Sequence, residues 1–427
     1  MKPPPVPTTT ARRALFTRRT LGASLAALAL TAAAAACSTS SSGGSSGSGG
    51  TYTIWDPYPQ FDNSSAWVQL LQKCGTQAGV SVKRTAYDTT QLTSKELLAA
   101  QQGVSPDVLI VDNPVVSTLA SAGVLTTTAQ TKVSTAAIQP NILAAGQVNG
   151  DTYGIPIGAN TLALYYNKSI LQAAGVDPAT ITDWNSLTAA LAKVKAIGKT
   201  GITFSAIGTE EGSFQFEPWF WGAGANLTNL DSAQAVDALT LWTTWMKDGY
   251  APNSVLNDTQ PDNWQTFAAG DTAFSENGTW ELADAQKASF PYGLINIPGM
   301  NGGSAPVPTG GEFVTIPVQS NTATYTTSEK IVACITNAKN AYTTDTTLSY
   351  IGASTAVQTQ QASTSPDLQP WISAVHTAKG RTSDNLGTKY PKISQQLWTA
   401  IQSALTGTSS PQAALTSAQS AAKAATG

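Results

Sequence analysis

Pro106-Asp107-Val108-Leu109-Ile110-Val111-Asp112-Asn113-Pro114 is the stretch on which the fold turns. Its four apolar residues are unbroken and framed by turn formers on both sides. Such a run suits a strand buried on both faces, as in a parallel sheet covered by helices; a strand with one wet face would alternate. Toward the N-terminus, Leu92 to Ala100 reads as a helix and Val80-Ser81-Val82 as the start of a strand. Before them, Trp67, Leu70, Leu71 and Cys74 recur at i, i+3, i+4 and i+7, one face of a helix that Gly79 ends. Tyr52-Thr53-Ile54-Trp55 is a first strand, stopped by Asp56-Pro57. This order is βαβαβ, the start of a doubly wound α/β sheet.

A second module begins near Asn160. Thr161 to Tyr166 reads as a strand, and Lys168 to Ala174 as a helix closed by Gly175. Thr182 is the expected N-cap of a helix with Leu187, Ala190, Leu191 and Val194 on one face. Further on come a helix carrying Val236, Leu239, Thr243 and Met246, a helix from Trp264 to Ala269, and a strand from Thr272 to Ser275 that ends in Asn277-Gly278. Gly302-Gly303 and Gly310-Gly311 bracket a Pro-rich loop. Phe313 to Ile316 and a helix with Ile331, Cys334 and Ile335 in register follow, and the tail from Pro391 is helical and Ala-rich. No internal repeat is present, and 427 residues suit two lobes plus an export segment.

Arg18-Arg19-Thr20-Leu21-Gly22 precedes an apolar stretch that ends at Cys37, the layout of a cleavable signal peptide over 1–36. The paired arginines fit twin-arginine export, with the Sec route open as well. Ala34-Ala35-Ala36-Cys37 resembles a bacterial lipobox with Ala34 where Leu is commonest, which makes Cys37 the candidate lipid attachment; cleavage there without lipid is the other reading. Ser38 to Gly50 holds only Ser, Thr and Gly, a flexible tether with a reach of roughly 20 Å. The two signs of charge are unevenly distributed. Four of six arginines lie in the first nineteen residues, so a chain beginning at Cys37 keeps 16 lysines and two arginines against 26 acids, a net charge of −8. That balance offers no electrostatic footprint for nucleic acid, and it disfavours phosphorylated ligands, which call for arginine forks.

Several blocks together resemble one family, the extracellular solute-binding proteins of sugar ABC importers, which include maltodextrin-binding proteins. They are Pro106 to Val111 with Ser121-Ala122-Gly123-Val124-Leu125; Gly150-Asp151-Thr152-Tyr153-Gly154-Ile155-Pro156 followed by Tyr165-Tyr166-Asn167-Lys168 and Ala174-Gly175-Val176; and Thr182-Asp183-Trp184-Asn185-Ser186-Leu187. Phe267-Ala268-Ala269-Gly270-Asp271-Thr272-Ala273-Phe274 leading to Asn277-Gly278-Thr279-Trp280, and Gly310-Gly311-Glu312-Phe313, complete the set in the family's order. The resemblance implies two α/β lobes, each a mostly parallel sheet flanked by helices, hinged by about three crossings. Lobe one would take 51–158 with 309–365, and lobe two 159–308 with 366–427. It implies a monomeric lipoprotein, without cofactor, metal or catalysis, on the outer face of the cytoplasmic membrane. Such a protein captures a mono- to oligosaccharide between its lobes and delivers it to ABC permease subunits.

A pyranose has an apolar C–H face and a rim of hydroxyls, so its cleft needs flat rings and fixed amides or carboxylates. By the resemblance, Trp280 stacks on a sugar, with lobe-two core as its other reading. Glu217-Pro218-Trp219 resembles the Glu-Pro-aromatic step of maltodextrin binders, where the acid takes hydroxyls and the ring stacks, although Phe214, Phe216, Phe220 and Trp221 crowd the segment and packing serves equally. Tyr58 and Asp56 are expected exposed in the loop after the first strand. Asp112 either accepts a hydroxyl or caps the next helix. Asn160 stands at the crossing where maltodextrin binders carry an acid, and Glu312 follows two glycines at the return crossing. Arg381, in Lys379-Gly380-Arg381-Thr382, reads as a solvated loop residue. Cys74 and Cys334, both on apolar helix stripes, are either a disulfide or two buried thiols. An exported glycoside hydrolase is the alternative, since the same residue types build catalytic clefts. No pair of acids stands out by context, and zinc, serine-triad and nucleotide motifs do not occur.

Overall fold

The computed structural model describes residues 51–382 and 386–427. The expected signal peptide, Cys37 and the tether lie outside the described residues.

Two sheets organise the chain. The first runs in the order Ser81–Ala86, Thr51–Asp56, Val108–Asp112, Glu312–Thr315, Gly154–Pro156. Its first three strands are parallel, as the βαβαβ order requires. Within Val108–Asp112, Val108 and Ile110 feed one core cluster while Leu109 and Val111 feed another. Alternate side chains leave a strand on opposite faces, so this strand is covered on both sides. Glu312–Thr315 joins from far along the chain, antiparallel to both neighbours, with Glu312 directly opposite Asp112.

Helix Ala66–Ala78 lies on this sheet, started by the Ser65 side chain accepting from the Val68 N–H and ended by Gly79 at φ 81. Its buried stripe holds Trp67, Leu70, Leu71 and Cys74. Cys74 is joined by a disulfide to Cys334 of helix Tyr325–Thr336, with the Cα atoms 5.6 Å apart.

The second sheet runs Tyr292–Ile295, Leu162–Asn167, Thr272–Gly278, Thr200–Thr203. Only its last pair is parallel; the other two pairings are antiparallel. The first sheet has two parallel and two antiparallel pairings and the second one parallel pairing of three, so both are mixed and the expectation of mostly parallel sheets needs correcting for each. Leu162–Asn167 enters straight from the crossing out of the first sheet, without the helical crossover that keeps neighbouring strands parallel. The second core is rich in rings, among them Trp184, Phe204, Phe216, Trp219, Trp242 and Trp245, and the helices Tyr390–Leu405 and Pro411–Thr426 close over it. Asp183, not Thr182, caps helix Trp184–Ala196, its carboxylate accepting from the Ser186 N–H at 2.7 Å.

Between the sheets the chain crosses along neighbouring paths. Ala159 and Ile351 exchange backbone hydrogen bonds of 2.8 Å, Asn160 pairs with Gly310, and Pro308–Thr309 runs beside Lys379–Gly380. Among the described residues no helix is long and apolar enough to cross a membrane.

Candidate functional site

A groove of about 400 Å³ opens where the strand Val108–Asp112 ends and the crossings begin. In open α/β sheets that is where ligands sit. Asp112, Glu312 and Asn160 line it from the first sheet and a crossing; Glu210, Glu211, Phe214 and Trp280 line it from the second lobe. Trp280 follows the strand Thr272–Gly278, and its indole lies across Gly278, where a Cβ would meet the ring at 2.2 Å. Glycine is therefore required there for the ring to lie flat. Phe214 supports it, with ring centroids 6.3 Å apart.

The register of the first sheet sets two carboxylates, Asp112 and Glu312, opposite each other. Like charges so placed repel. Two phenols answer on one side: Tyr58 and Tyr350 donate to Glu312 Oε2 at 2.7 and 2.5 Å. Burial pushes the Glu312 carboxyl up to about 7, and neighbouring Asp112 adds to the rise. On the other side Asp112 accepts from the Asn113 N–H and from Arg381 Nη2, each at 2.8 Å. Arg381 Nη1 reaches Glu210 Oε1 at 2.8 Å, while the guanidinium lies over the Phe214 ring, 4.9 Å from its centroid. Arg381 is 3% exposed, which overturns its reading as a solvated loop residue. Glu210 also accepts from Tyr390 and Ser394, both at 2.5 Å. Deeper, Tyr390 meets Glu217 at 3.0 Å; burial, then Glu210, holds the Glu217 carboxyl well above its ordinary range.

Fixed acceptors around a ring-lined floor suit a ligand carrying many hydroxyls and an apolar face. Residues 69–370 match the model of the bacterial extracellular solute-binding protein family. The chain belongs to this family. This solute-binding protein is 29% identical over 168 residues to a binding protein of Brucella abortus, covering 36% of this chain and 40% of that one. It is 29% identical over 175 residues to a maltodextrin-binding protein of Bacillus subtilis, covering 38% of this chain and 41% of the other. It thus spans about two-fifths of the length of these relatives. Among solved structures, the GacH receptor of Streptomyces glaucescens, studied unliganded and with acarbose, superposes with a TM-score of 0.74 at 23% identity over 87% of this chain and 97% of that one. At this identity the likeness concerns the fold, two lobes of the solute-binding type.

Of the residues singled out in the sequence, the groove of this solute-binding protein brings together Trp280, Asp112, Asn160 and Glu312. Tyr58 is 5% exposed and reaches the groove only through its hydroxyl on Glu312. Asp56, Glu217 and Trp219 do not line it. Asp56 is the last residue of the strand, not of the loop; it is buried, bound by the Arg84 fork and by Trp67 Nε1 at 3.1 Å. The reason is electrostatic: a carboxylate is kept in the interior by a cation and further donors. Glu217 and Trp219 sit on helix Glu210–Gly222, which turns both inward, and Trp219 Nε1 donates to Glu276 Oε2 at 2.7 Å. The residues of that helix that do face the groove lie one to two turns earlier, at Glu210, Glu211 and Phe214. Two acids at a helix start are a recognisable signal. Nothing in Lys379-Gly380-Arg381 signals a buried cation.

Proposed function

We propose that this solute-binding protein is the carbohydrate receptor of an ABC importer, catching a mono- to oligosaccharide in the groove and passing it intact to permease subunits. The observation that carries the reading is the pairing of the Trp280 and Phe214 rings with the fixed oxygens of Asp112, Asn160 and Glu312. Rings cover a sugar's apolar face, and carboxylates and amides take its hydroxyls. The guanidinium of Arg381 is already engaged by Asp112 and Glu210, so no free fork is left for a phosphate, which favours a neutral ligand. The curated relatives support the class, since one binds maltodextrin by its name and another is called a maltooligosaccharide ABC transporter solute-binding lipoprotein. On this reading the mature chain is exported and tethered through lipid on Cys37. Lobe one comprises 51–158 with 309–365, and lobe two the remainder of the folded chain.

The test is calorimetry and thermal shift against a panel of mono- and oligosaccharides, with glycerophosphocholine as a non-sugar arm. A bound sugar raises the melting temperature by mass action. Binding only to the non-sugar arm overturns the ligand class. Cleaved glycans at turnover would establish the hydrolase alternative instead.

A further inference from the structure

We propose that Arg381 is a positioning residue that fastens the two lobes across the groove and so fixes the geometry a ligand meets; this rests on the groove being a carbohydrate site. One guanidinium sends Nη2 to Asp112 Oδ1 and Nη1 to Glu210 Oε1, each at 2.8 Å. Asp112 ends a strand of the first sheet, and Glu210 opens the helix whose rings fill the second core. Arg381 itself follows Lys379–Gly380, the segment paired with the crossing Pro308–Thr309. The arginine fork is planar and its N–H directions are rigid. It can hold both carboxylates only while the lobes stand at one angle, and opening the hinge lengthens at least one bridge.

The surroundings remove the slack from this arrangement. Glu210 is pinned from behind by Tyr390 and Ser394, and Asp112 by the Asn113 N–H, so neither carboxylate is free to follow a moving guanidinium. Phe214 supports the fork from one face. Exposed ion pairs contribute little, but this arginine is nearly sealed from water, where charge pairs are screened far less. Arg381 is the sole basic residue among the described residues lining the groove; with it gone, Asp112, Glu210 and Glu312 would face one another uncompensated. Its Nε–H is buried without a protein acceptor.

Small-angle scattering of the ligand-free protein tests the fastening. Arg381→Gln is expected to enlarge the radius of gyration, and Arg381→Lys to do so less, because an ammonium keeps the charge but not the fork. Affinity for the sugar found in the panel should fall about 10- to 100-fold in Arg381→Gln, the loss of a hydrogen bond to a charged group. A merely structural role is separated by a cycle: Asp112→Asn and Glu210→Gln should affect affinity non-additively with Arg381 present and additively without it. Should Arg381→Gln not fold, Arg381→Lys carries both measurements. An unchanged radius together with affinity within about twofold of the parent overturns the proposal, that being within the spread of an ordinary surface substitution. If the parent binds no sugar at all, the functional reading fails, and the scattering comparison still decides the fastening.

Discussion

Helix Ala66–Ala78 and helix Glu210–Gly222 are each 13 residues long and each carries tryptophan into a core, yet they are held in opposite ways. The first is two-faced: Trp67, Leu70, Leu71 and Cys74 are buried, while Gln69, Gln72 and Lys73 are exposed. It adds a covalent tie through Cys74 to Cys334. The second is buried on every side from Gly212 to Trp221 and relies on ring packing, with Trp184 and Trp245 both against Trp219. A helix wet on one side can be stapled to its neighbour at modest cost. One that is dry all round must fill its space with matching shapes, and each side chain then becomes hard to replace.

The contrast can be broken at Trp219. Trp219→Ala should lower unfolding free energy by about 3–5 kcal/mol, the range for an emptied aromatic site, and it strips Glu276 Oε2 of its donor. Denaturant titration reads this, and a loss below about 1 kcal/mol would mean that the second core is not packed as described. Next in size is the staple. Replacing Cys74 and Cys334 together by Ala should cost about 2–4 kcal/mol, as expected for closing a long loop; equal stability in the parent and the double variant would remove the staple from the comparison.

The third test moves from core to groove. Trp280 is half-buried, so Trp280→Ala should leave stability nearly unchanged while weakening sugar binding by about 1.5–3 kcal/mol, the value of one covered ring. Calorimetry on the folded variant checks it, and an unaltered dissociation constant would return Trp280 to the core. The smallest effect is one of pH. Burial, helped by Asp112, raises Glu312 from the ordinary 4.5 to about 7. The folded state then holds this proton more tightly than the unfolded chain, so the stabilisation is full below 4.5 and lost as pH rises through 7. Glu312→Gln should flatten that decline in a series of melts across the window; an unchanged slope would show that another group titrates there.

The same two helices mark how far the sequence could be read. The stripe of Ala66–Ala78 repeats at helical spacing against exposed polar residues, so both the helix and its inward face were legible, as was the doubly covered strand at Val108–Asp112. From Gly212 to Trp221 helix Glu210–Gly222 has no wet side, and it carries Pro218 in its interior, so periodicity could not say which residues look toward the groove. That is why Glu217 and Trp219 were singled out while Glu210 and Phe214 were not. Asp56 was misread because its burial depends on Arg84, which comes from the neighbouring strand. Arg381 was missed for a related reason: its partners Asp112 and Glu210 lie far away in the chain and meet only once both lobes exist.

The strand Glu312–Thr315 sits inside the first sheet, between strands made much earlier, and the disulfide joins residues 260 positions apart. A chain emerging from its N-terminus therefore cannot finish the lobe it begins. The early strands must wait, with one edge unpaired, until Glu312–Thr315 has been delivered, while the later lobe waits in turn for its closing helices Tyr390–Leu405 and Pro411–Thr426. Pairings of such separation are slow, and an open edge is adhesive. The half that starts first is the half left with an open sheet edge, and it is there that a chaperone would have the most to protect.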